Sequence, residues 1–275
     1  MVPPGLVRLG SRVSLRRYLA QIWERRDYIL TVPRSEVRSK HLDTFLGNVW
    51  HLLAPLMLLG VYYLIFGVII GTRRGLGSLF LPFLATGLFM WQYTSRSVTS
   101  GAKSITTNIG LIRSLQFPRA ILPVTTVISQ ALIYFPTVAI MIVVLLTSGI
   151  RPTWSWLLLV PVFGLQTIMN LGFAFITARI TDIIRDFENI LPFMLRILFY
   201  VSGILYSVDD NVKYKSYRIF FTLNPVYALV TVARDGVFGY PVRPALWLSL
   251  FLWAFGSFIV GFVFFRAGET EYGRG

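Results

Sequence analysis

Asn48–Ile70 (NVWHLLAPLMLLGVYYLIFGVII) runs for 23 residues without an Asp, Glu, Lys or Arg. At about 1.5 Å per residue a helix of that length spans roughly 34 Å, enough for a hydrocarbon core of about 30 Å. The segment just before it, Ser35–Gly47, is short, charged and amphipathic. Leu42, Phe45, Leu46 and Val49 fall at i, i+3, i+4 and i+7, while Arg38, Lys40 and Asp43 lie off that stripe. The reading is a helix that lies on a membrane surface and then turns through it. Composition extends this to the whole chain. Of 275 residues, 55% are apolar and 14% charged, which describes a polytopic membrane protein rather than a soluble domain on one anchor.

Six spans are expected, at 48–70, 79–95, 120–148, 154–178, 189–208 and 245–265. Residues 1–34 form a basic N-terminal segment with no continuous apolar stretch of the kind a signal peptide needs. Within it, Val13–Val32 places Leu15, Tyr18, Leu19, Ile22 and Ile29 on one helical face, and Pro33 is expected to end that helix. Arg96–Gly110 is polar and reads as a helix leaving the membrane, followed by a cytoplasmic helical turn at Asn108–Pro118. Arg179–Glu188 is a short charged connection, Asp209–Pro244 a long mixed segment, and 266–275 a polar tail.

Six spans put both ends on one side. With the ends inside, 17 Lys and Arg fall on the inner segments and 8 on the outer ones. That bias predicts both termini in the cytoplasm and a multi-pass protein of the cytoplasmic membrane. It also accounts for the net charge of +14 without nucleic acid, because no soluble domain is left to carry a basic face.

The missing chemistry narrows the function. There is no cysteine, and none of the twelve acids lies inside an expected span, whereas ion-coupled transporters and proton relays bury acids at membrane depth. This disfavours a small secondary transporter or drug-efflux permease, as does the lack of an internal repeat. A membrane glycan enzyme needs a carboxylate base or metal cluster, and only the Asp209–Asp210 pair is present. His41 and His51 are not at ligand spacing, so no metal site is expected. Gly101-Ala102-Lys103-Ser104 resembles the end of a phosphate-binding loop, but Ala102 and Ser97 stand where glycines are required. The chain is therefore not an ATPase, and any uphill transport draws on another subunit.

Aromatic residues make up 15% of the chain. Tyr62/Phe66 and Phe89/Tyr93 are i, i+4 pairs, and Phe199 and Tyr200 lie in the fifth span. Such rings serve as interfacial belts and helix packing, or as stacking surfaces for the C–H faces of sugars. Arg196 lies within the fifth span. A charge there costs about 2.5–3.5 kcal/mol on insertion scales, so it faces protein or water. It either pairs with Glu188 or Asp186, or offers a bidentate fork to phosphate.

The order and spacing of several pieces resemble one family. They are Gly47-Asn48-Val49-Trp50 with Pro55, then Asn108, Leu111-Ile112, Phe117-Pro118-Arg119 and Leu122-Pro123. Arg179, Asp182, Pro192, Ser202-Gly203, Tyr206 and Leu223-Asn224-Pro225 follow. Over about Arg34 to Phe265 the chain resembles the membrane (permease) subunit of ABC transporters that export polysaccharides, O-antigens and teichoic acids. Among these it is most similar to actinobacterial exporters of lipid-linked cell-wall galactan. Members often carry Ser-Pro where this chain has Ser202-Gly203.

The resemblance implies an all-α chain of six transmembrane helices, with residues 35–47 as an interfacial helix and re-entrant outer gate helices between spans five and six. It implies a homodimer with two ATP-binding subunits, which hold the ATP and Mg, this chain binding no cofactor itself. The expected substrate is a lipid-linked polysaccharide, with membrane lipids around the complex. Expected pathway residues are Tyr62, Phe66, Phe89, Tyr93, Arg196, Phe199 and Tyr200. Expected ATPase-coupling residues are Asn108, Leu111, Ile112, Arg113, Phe117, Arg179 and Asp182.

Overall fold

A computed structural model describes residues 14–39, 50–71, 76–208, 218–269 and 271–272. Among these residues the chain is entirely helical, without strands. Helix α1 covers Leu15–Glu24 and α2 Arg26–Ser39. Helix α3 covers Trp50–Tyr62 and continues as a π-helical stretch, Tyr63–Ile69. Helix α4 is Phe80–Lys103, α5 Ile109–Ser114, α6 Ile121–Thr147 and α7 Leu159–Ile183. Helix α8 is Phe187–Val201, α9 Arg218–Thr222, α10 Pro225–Phe238 and α11 Pro244–Ala267.

Four described stretches are long and apolar enough to cross a membrane: Leu52–Ile69, Ile121–Thr147, Trp154–Ile183 and Pro244–Ala267. They correspond to the first, third, fourth and sixth expected spans. The other two expected spans correspond to α4 and α8. Helix α4 carries Thr86, Gln92, Thr94 and Ser97 at buried positions and packs against α6, α7 and α10. A helix enclosed by protein needs no apolar exterior, so hydropathy alone does not mark it. It also does not stop near Ser95 but runs to Lys103. Helix α8 has 15 residues, about 22 Å, shorter than a hydrocarbon core.

Two expectations about the N-terminal region are revised. Pro33 does not end a helix but lies inside α2. The break falls instead at Arg25, between α1 and α2. Proline inside a helix removes one backbone bond, and here packing offsets that loss. Ile29 and Pro33, one turn apart, are both buried, and α2 packs along α6. Of the expected surface helix 35–47, residues 35–39 form the end of α2 and the remainder lies outside the described residues.

The bundle is centred on α4 and α7. Helix α7 packs on α11 more extensively than any other pair, and the contact is made close by glycine. A Cβ on Gly261 would collide with the backbone of Gly172, and one on Gly172 with the backbone of Ser257. Small residues at a crossing let two backbones touch, and the gain is dispersion over a large area. Gly101 lies inside α4, where a Cβ would stand 2.5 Å from that of Ala174. It serves helix contact and is not part of a phosphate-binding loop.

Between α8 and α11 the chain turns back into the bundle. Asn224 caps α10, accepting from the N–H groups of Val226 and Tyr227 at 2.9 and 3.2 Å, with Pro225 opening the helix. Nearly all of α10 is buried, against α4, α7 and α11. Arg234 holds it there. Its guanidinium donates to the carbonyls of Phe83 (3.0 and 3.2 Å), Gly203 (2.8 Å) and Ile204 (2.7 Å) and stacks on the Phe83 ring. The next residue, Asp235, is taken by Arg243 at 2.6 Å.

Candidate functional site

Helices α3, α4 and α8 part to leave a groove of about 390 Å³. Helix α4 faces it with Leu88, Trp91, Gln92, Ser95, Arg96 and Thr99. Helix α8 faces it with Pro192, Leu195, Arg196, Phe199 and Tyr200, and α3 with Leu58 and Tyr62. The periodicity explains the convergence. Positions 92, 95, 96 and 99, like 192, 195, 196 and 199, stand at i, i+3, i+4 and i+7, one stripe on each helix. The rings form a continuous wall around Phe199: Tyr62 at 5.5 Å between centroids, Trp91 at 5.7 Å and Tyr200 at 5.2 Å. Phe66 extends that wall by one turn, 6.0 Å from Tyr62.

Two arginines share the groove, and among the described residues that line it none is an acid. Their depth follows from an ion pair at the end of the same two helices. Lys103 on α4 meets Glu188 on α8 at 2.5 Å. Arg96 lies seven residues back from Lys103 and Arg196 eight residues on from Glu188, about 10 and 12 Å respectively at helical rise. The backbones of the two arginines therefore stand at similar distances from that ion pair. Glu188, one of the two acids that the sequence offered to Arg196, is occupied by Lys103. Arg196 instead lies over the Phe193 ring at 5.9 Å. Gln92 is 8% exposed, and neither its Nε2 nor its Oε1 has a hydrogen-bond partner among the described residues. A buried polar group left unpaired costs about 1–3 kcal/mol.

Of the expected pathway residues, Tyr62, Arg196, Phe199 and Tyr200 line this groove, with Phe66 adjoining. Phe89 and Tyr93 do not: both are fully buried within the bundle. Tyr93 stacks on Tyr134 and Phe163 at 5.0 and 5.4 Å and shares a hydrogen bond with Thr167 at 3.0 Å. One residue on from Gln92, Tyr93 is turned about 100° away from the groove. Sequence reasoning missed Arg96, Gln92 and Trp91. The signal was present, as the polar stripe Gln92/Ser95/Arg96/Thr99, but ending the span at Ser95 cut through it.

Of the expected coupling residues, Leu111, Ile112 and Phe117 gather at the other feature, a polar node where α1 meets Arg119, Ala120 and Glu269. The Tyr18 hydroxyl on α1 donates to Glu269 Oε1 at 2.8 Å and accepts from the Ala120 N–H at 3.3 Å. The Arg119 N–H donates to the same carboxylate oxygen at 2.7 Å, and the Arg119 guanidinium to the Glu269 carbonyl. Tyr272 donates to the Phe265 carbonyl at 2.6 Å. Burial pushes the Glu269 carboxyl above its ordinary value, opposed by the Arg119 N–H and the Tyr18 hydroxyl. Burial, with the neighbouring Glu269, pushes the Tyr18 hydroxyl up as well.

Helix α5 sits on this node. Ile112 is 7% exposed and belongs to the buried cluster that holds Tyr18, Ile105, Phe265 and Tyr272, while Leu111 and Phe117 pack half-buried on the same cluster. Ile112 therefore does not project outward as an anchor for a partner. Leu115, at 55% exposure, does, on an outer face with Gly110, Arg113 and Ser114. Asn108 donates to the Ser104 carbonyl at 2.9 Å and so ties α5 to the end of α4. Arg179 and Asp182 were expected on a connection but lie in the last turns of α7. Arg179 donates to the Phe264 carbonyl and lies 4.5 Å from that ring.

Residues 28–238 match the family described as ABC-2 type transporter. The chain is 28% identical over 231 residues to an O-antigen export system permease protein RfbA of Klebsiella pneumoniae, covering 82% of this chain and 87% of that one. It is 26% identical over 215 residues to the RfbA permease of Myxococcus xanthus, covering 78% and 82%. It is 25% identical over 242 residues to the polysialic acid transport protein KpsM of Escherichia coli, covering 85% and 90%.

Proposed function

This chain belongs to the ABC-2 type transporter membrane family, and from that premise we propose that it exports a lipid-linked cell-surface polysaccharide, with cell-wall galactan the first polymer to test. It works as a homodimer with two ATP-binding subunits that hold the ATP and Mg. It crosses the cytoplasmic membrane six times with both termini inside, α4 and α8 being the second and fifth crossings. Residues 35–39, the end of α2, lie along the inner surface, and α9 and α10 form the outer gate. The names of the relatives, O-antigen and polysialic acid exporters, support the substrate class. The burial of α10 and the capping at Asn224 support the gate reading.

The single observation that carries the proposal is the groove wall of Tyr62, Trp91, Phe199 and Tyr200 among membrane helices. A hydrated glycan needs a path that its C–H faces can slide along without permanent hydrogen bonds, and aromatic faces with a few hydroxyl tips provide one. At the other end, the outer face of α5, with Leu115 and Arg113, meets the ATP-binding subunit. Export is the direct test. Tyr62→Ala combined with Tyr200→Ala is expected to slow appearance of surface polysaccharide at least about tenfold at equal membrane protein level. Tyr200 is 49% exposed, and a change there costs little stability. Unchanged export by this variant defeats the proposal.

A further inference from the structure

We infer that the cavity between α1 and the end of α11 is a binding site for an aminophospholipid, its phosphodiester on Arg25 and Arg266 and its ammonium on Glu24. The site is separate from the groove and goes beyond the export reading, because it holds whatever polymer the chain carries. The cavity measures about 710 Å³. Helix α1 and its end form one wall with Tyr18, Glu24 and Arg25, Gln116 to Pro118 form a second, and α11 forms the third. The third wall changes character along its length. Phe262 and Val263 belong to a helix apolar enough to cross a membrane, and Arg266 stands in its last turn. The cavity is thus apolar on the hydrocarbon side and charged at the helix end, the same gradient that a phospholipid carries from acyl chain to headgroup.

A second observation is the surface that leads into the cavity. Val263, Ile259 and Leu252 are all exposed and stand at i, i+7 and i+11 counted from Leu252, one apolar stripe on α11. It runs for about 16 Å at helical rise, a bed for an acyl chain whose head lies in the cavity. A soluble phosphate compound has no use for that stripe. The third observation is that the wall carries both signs. Arg25 donates to the Gln116 carbonyl at 3.2 Å and lies 5.9 Å from the Phe117 ring, while Arg266 lies 5.2 Å from the Tyr18 ring. A guanidinium has five N–H donors, so these contacts hold it at the wall and leave donors for phosphate oxygens. The two acids of the wall differ. Glu269 is engaged by Tyr18 and the Arg119 N–H, and burial pushes its carboxyl up. Glu24 is exposed and forms no ion pair among the described residues. A primary ammonium next to the phosphate gives it a partner. A headgroup with phosphate alone sets an anion beside it.

The test uses the assembled complex with its ATP-binding subunit, stripped of lipid in detergent. It is titrated with dioleoyl phosphatidylethanolamine or dioleoyl phosphatidylglycerol, and occupancy is read by native mass spectrometry. The wild type should hold one phosphatidylethanolamine per copy of this chain and bind it about three- to fivefold more tightly than phosphatidylglycerol, the range for one exposed ion pair. Glu24→Gln should erase that preference without weakening phosphatidylglycerol. Arg25→Gln and Arg266→Gln should each weaken both lipids at least about tenfold, as expected for a lost charge-assisted hydrogen bond. If an arginine variant does not assemble, Glu24→Gln decides, because that side chain is exposed and its loss leaves the fold intact. Equal binding of the two lipids by the wild type overturns the inference, as does a preference that survives Glu24→Gln. Lipid held by the isolated chain but absent from the complex also overturns it, and assigns the cavity to the ATP-binding subunit.

Discussion

The groove and the node both bring arginine, tyrosine and a polar side chain into a helical bundle, and they treat them in opposite ways. In the node, Tyr18, Glu269, Arg119 and the Ala120 N–H satisfy one another over 2.7–3.3 Å. In the groove, Gln92 has no hydrogen-bond partner and no acid lines the cavity beside the two arginines, among the described residues. The same chemistry that closes three segments of chain in one place is left open beside a cavity in the other. A polar cluster satisfied from within holds a structure together, whereas one left unsatisfied at a cavity waits for something from outside. The node therefore should answer to substitution in stability, and the groove in transport.

The largest effect is expected where the node meets α5. Ile112→Asp places a carboxylate in the cluster of Tyr18, Phe265 and Tyr272 and should cost more than about 4 kcal/mol, seen as loss of folded protein from the membrane. Leu115→Asp, three residues on and outward-facing, should leave the thermal midpoint of the isolated chain within a degree or two. It should nevertheless abolish co-purification with the ATP-binding subunit. Equal behaviour of the two variants breaks the assignment of an inner and an outer face to α5.

A smaller effect separates two tyrosines. Tyr18→Phe removes one donor to Glu269 and one acceptor for the Ala120 N–H, and should cost about 1–2 kcal/mol, read as a lower unfolding temperature. Tyr200→Phe in the groove should leave that temperature unchanged. If both behave alike, the contrast between a satisfied and an open cluster fails.

The smallest effect is in pH. The folded chain holds the Glu269 carboxyl above its ordinary value, so folding takes up a proton there. That contribution is fully present below the unfolded carboxyl pKa and is lost as pH rises through the raised folded value. Glu269→Gln keeps an acceptor for Tyr18 and Arg119 but cannot ionise. It should flatten the decline in melting temperature as pH rises above the ordinary carboxyl value, with little change at the acid end. A decline as steep in the variant as in the wild type would assign the pH dependence to other groups.

Much of the site was within reach of the sequence. Tyr62, Arg196, Phe199 and Tyr200 were singled out, and the structure gathers them in one cavity. Phe89 and Tyr93 have the same i, i+4 spacing as Tyr62/Phe66, yet they point into the bundle, because spacing says that two residues share a face and not which neighbour that face meets. Ile112 was misjudged in the same way. Its apolar character fits a partner's groove or the chain's own core equally well, and the fold places it in one buried cluster with Tyr18 and Tyr272.

What the sequence by itself determined is which segments prefer hydrocarbon to water. That preference is a sum of transfer free energies over consecutive residues, so runs such as Asn48–Ile70 and Ala245–Phe265 declare themselves without any knowledge of the fold. The order of its motifs placed the chain in its family. Only the tertiary structure decided that α4 is a polar-striped helix at the centre of the bundle, that Arg96 and Arg196 line one groove, and that Lys103 occupies one of the two acids once offered to Arg196. It also decided that Arg234 is held by three backbone carbonyls. These facts depend on which helices surround each face, and those contacts join residues as far apart as Tyr18 and Glu269. A local sum over neighbouring residues does not contain them.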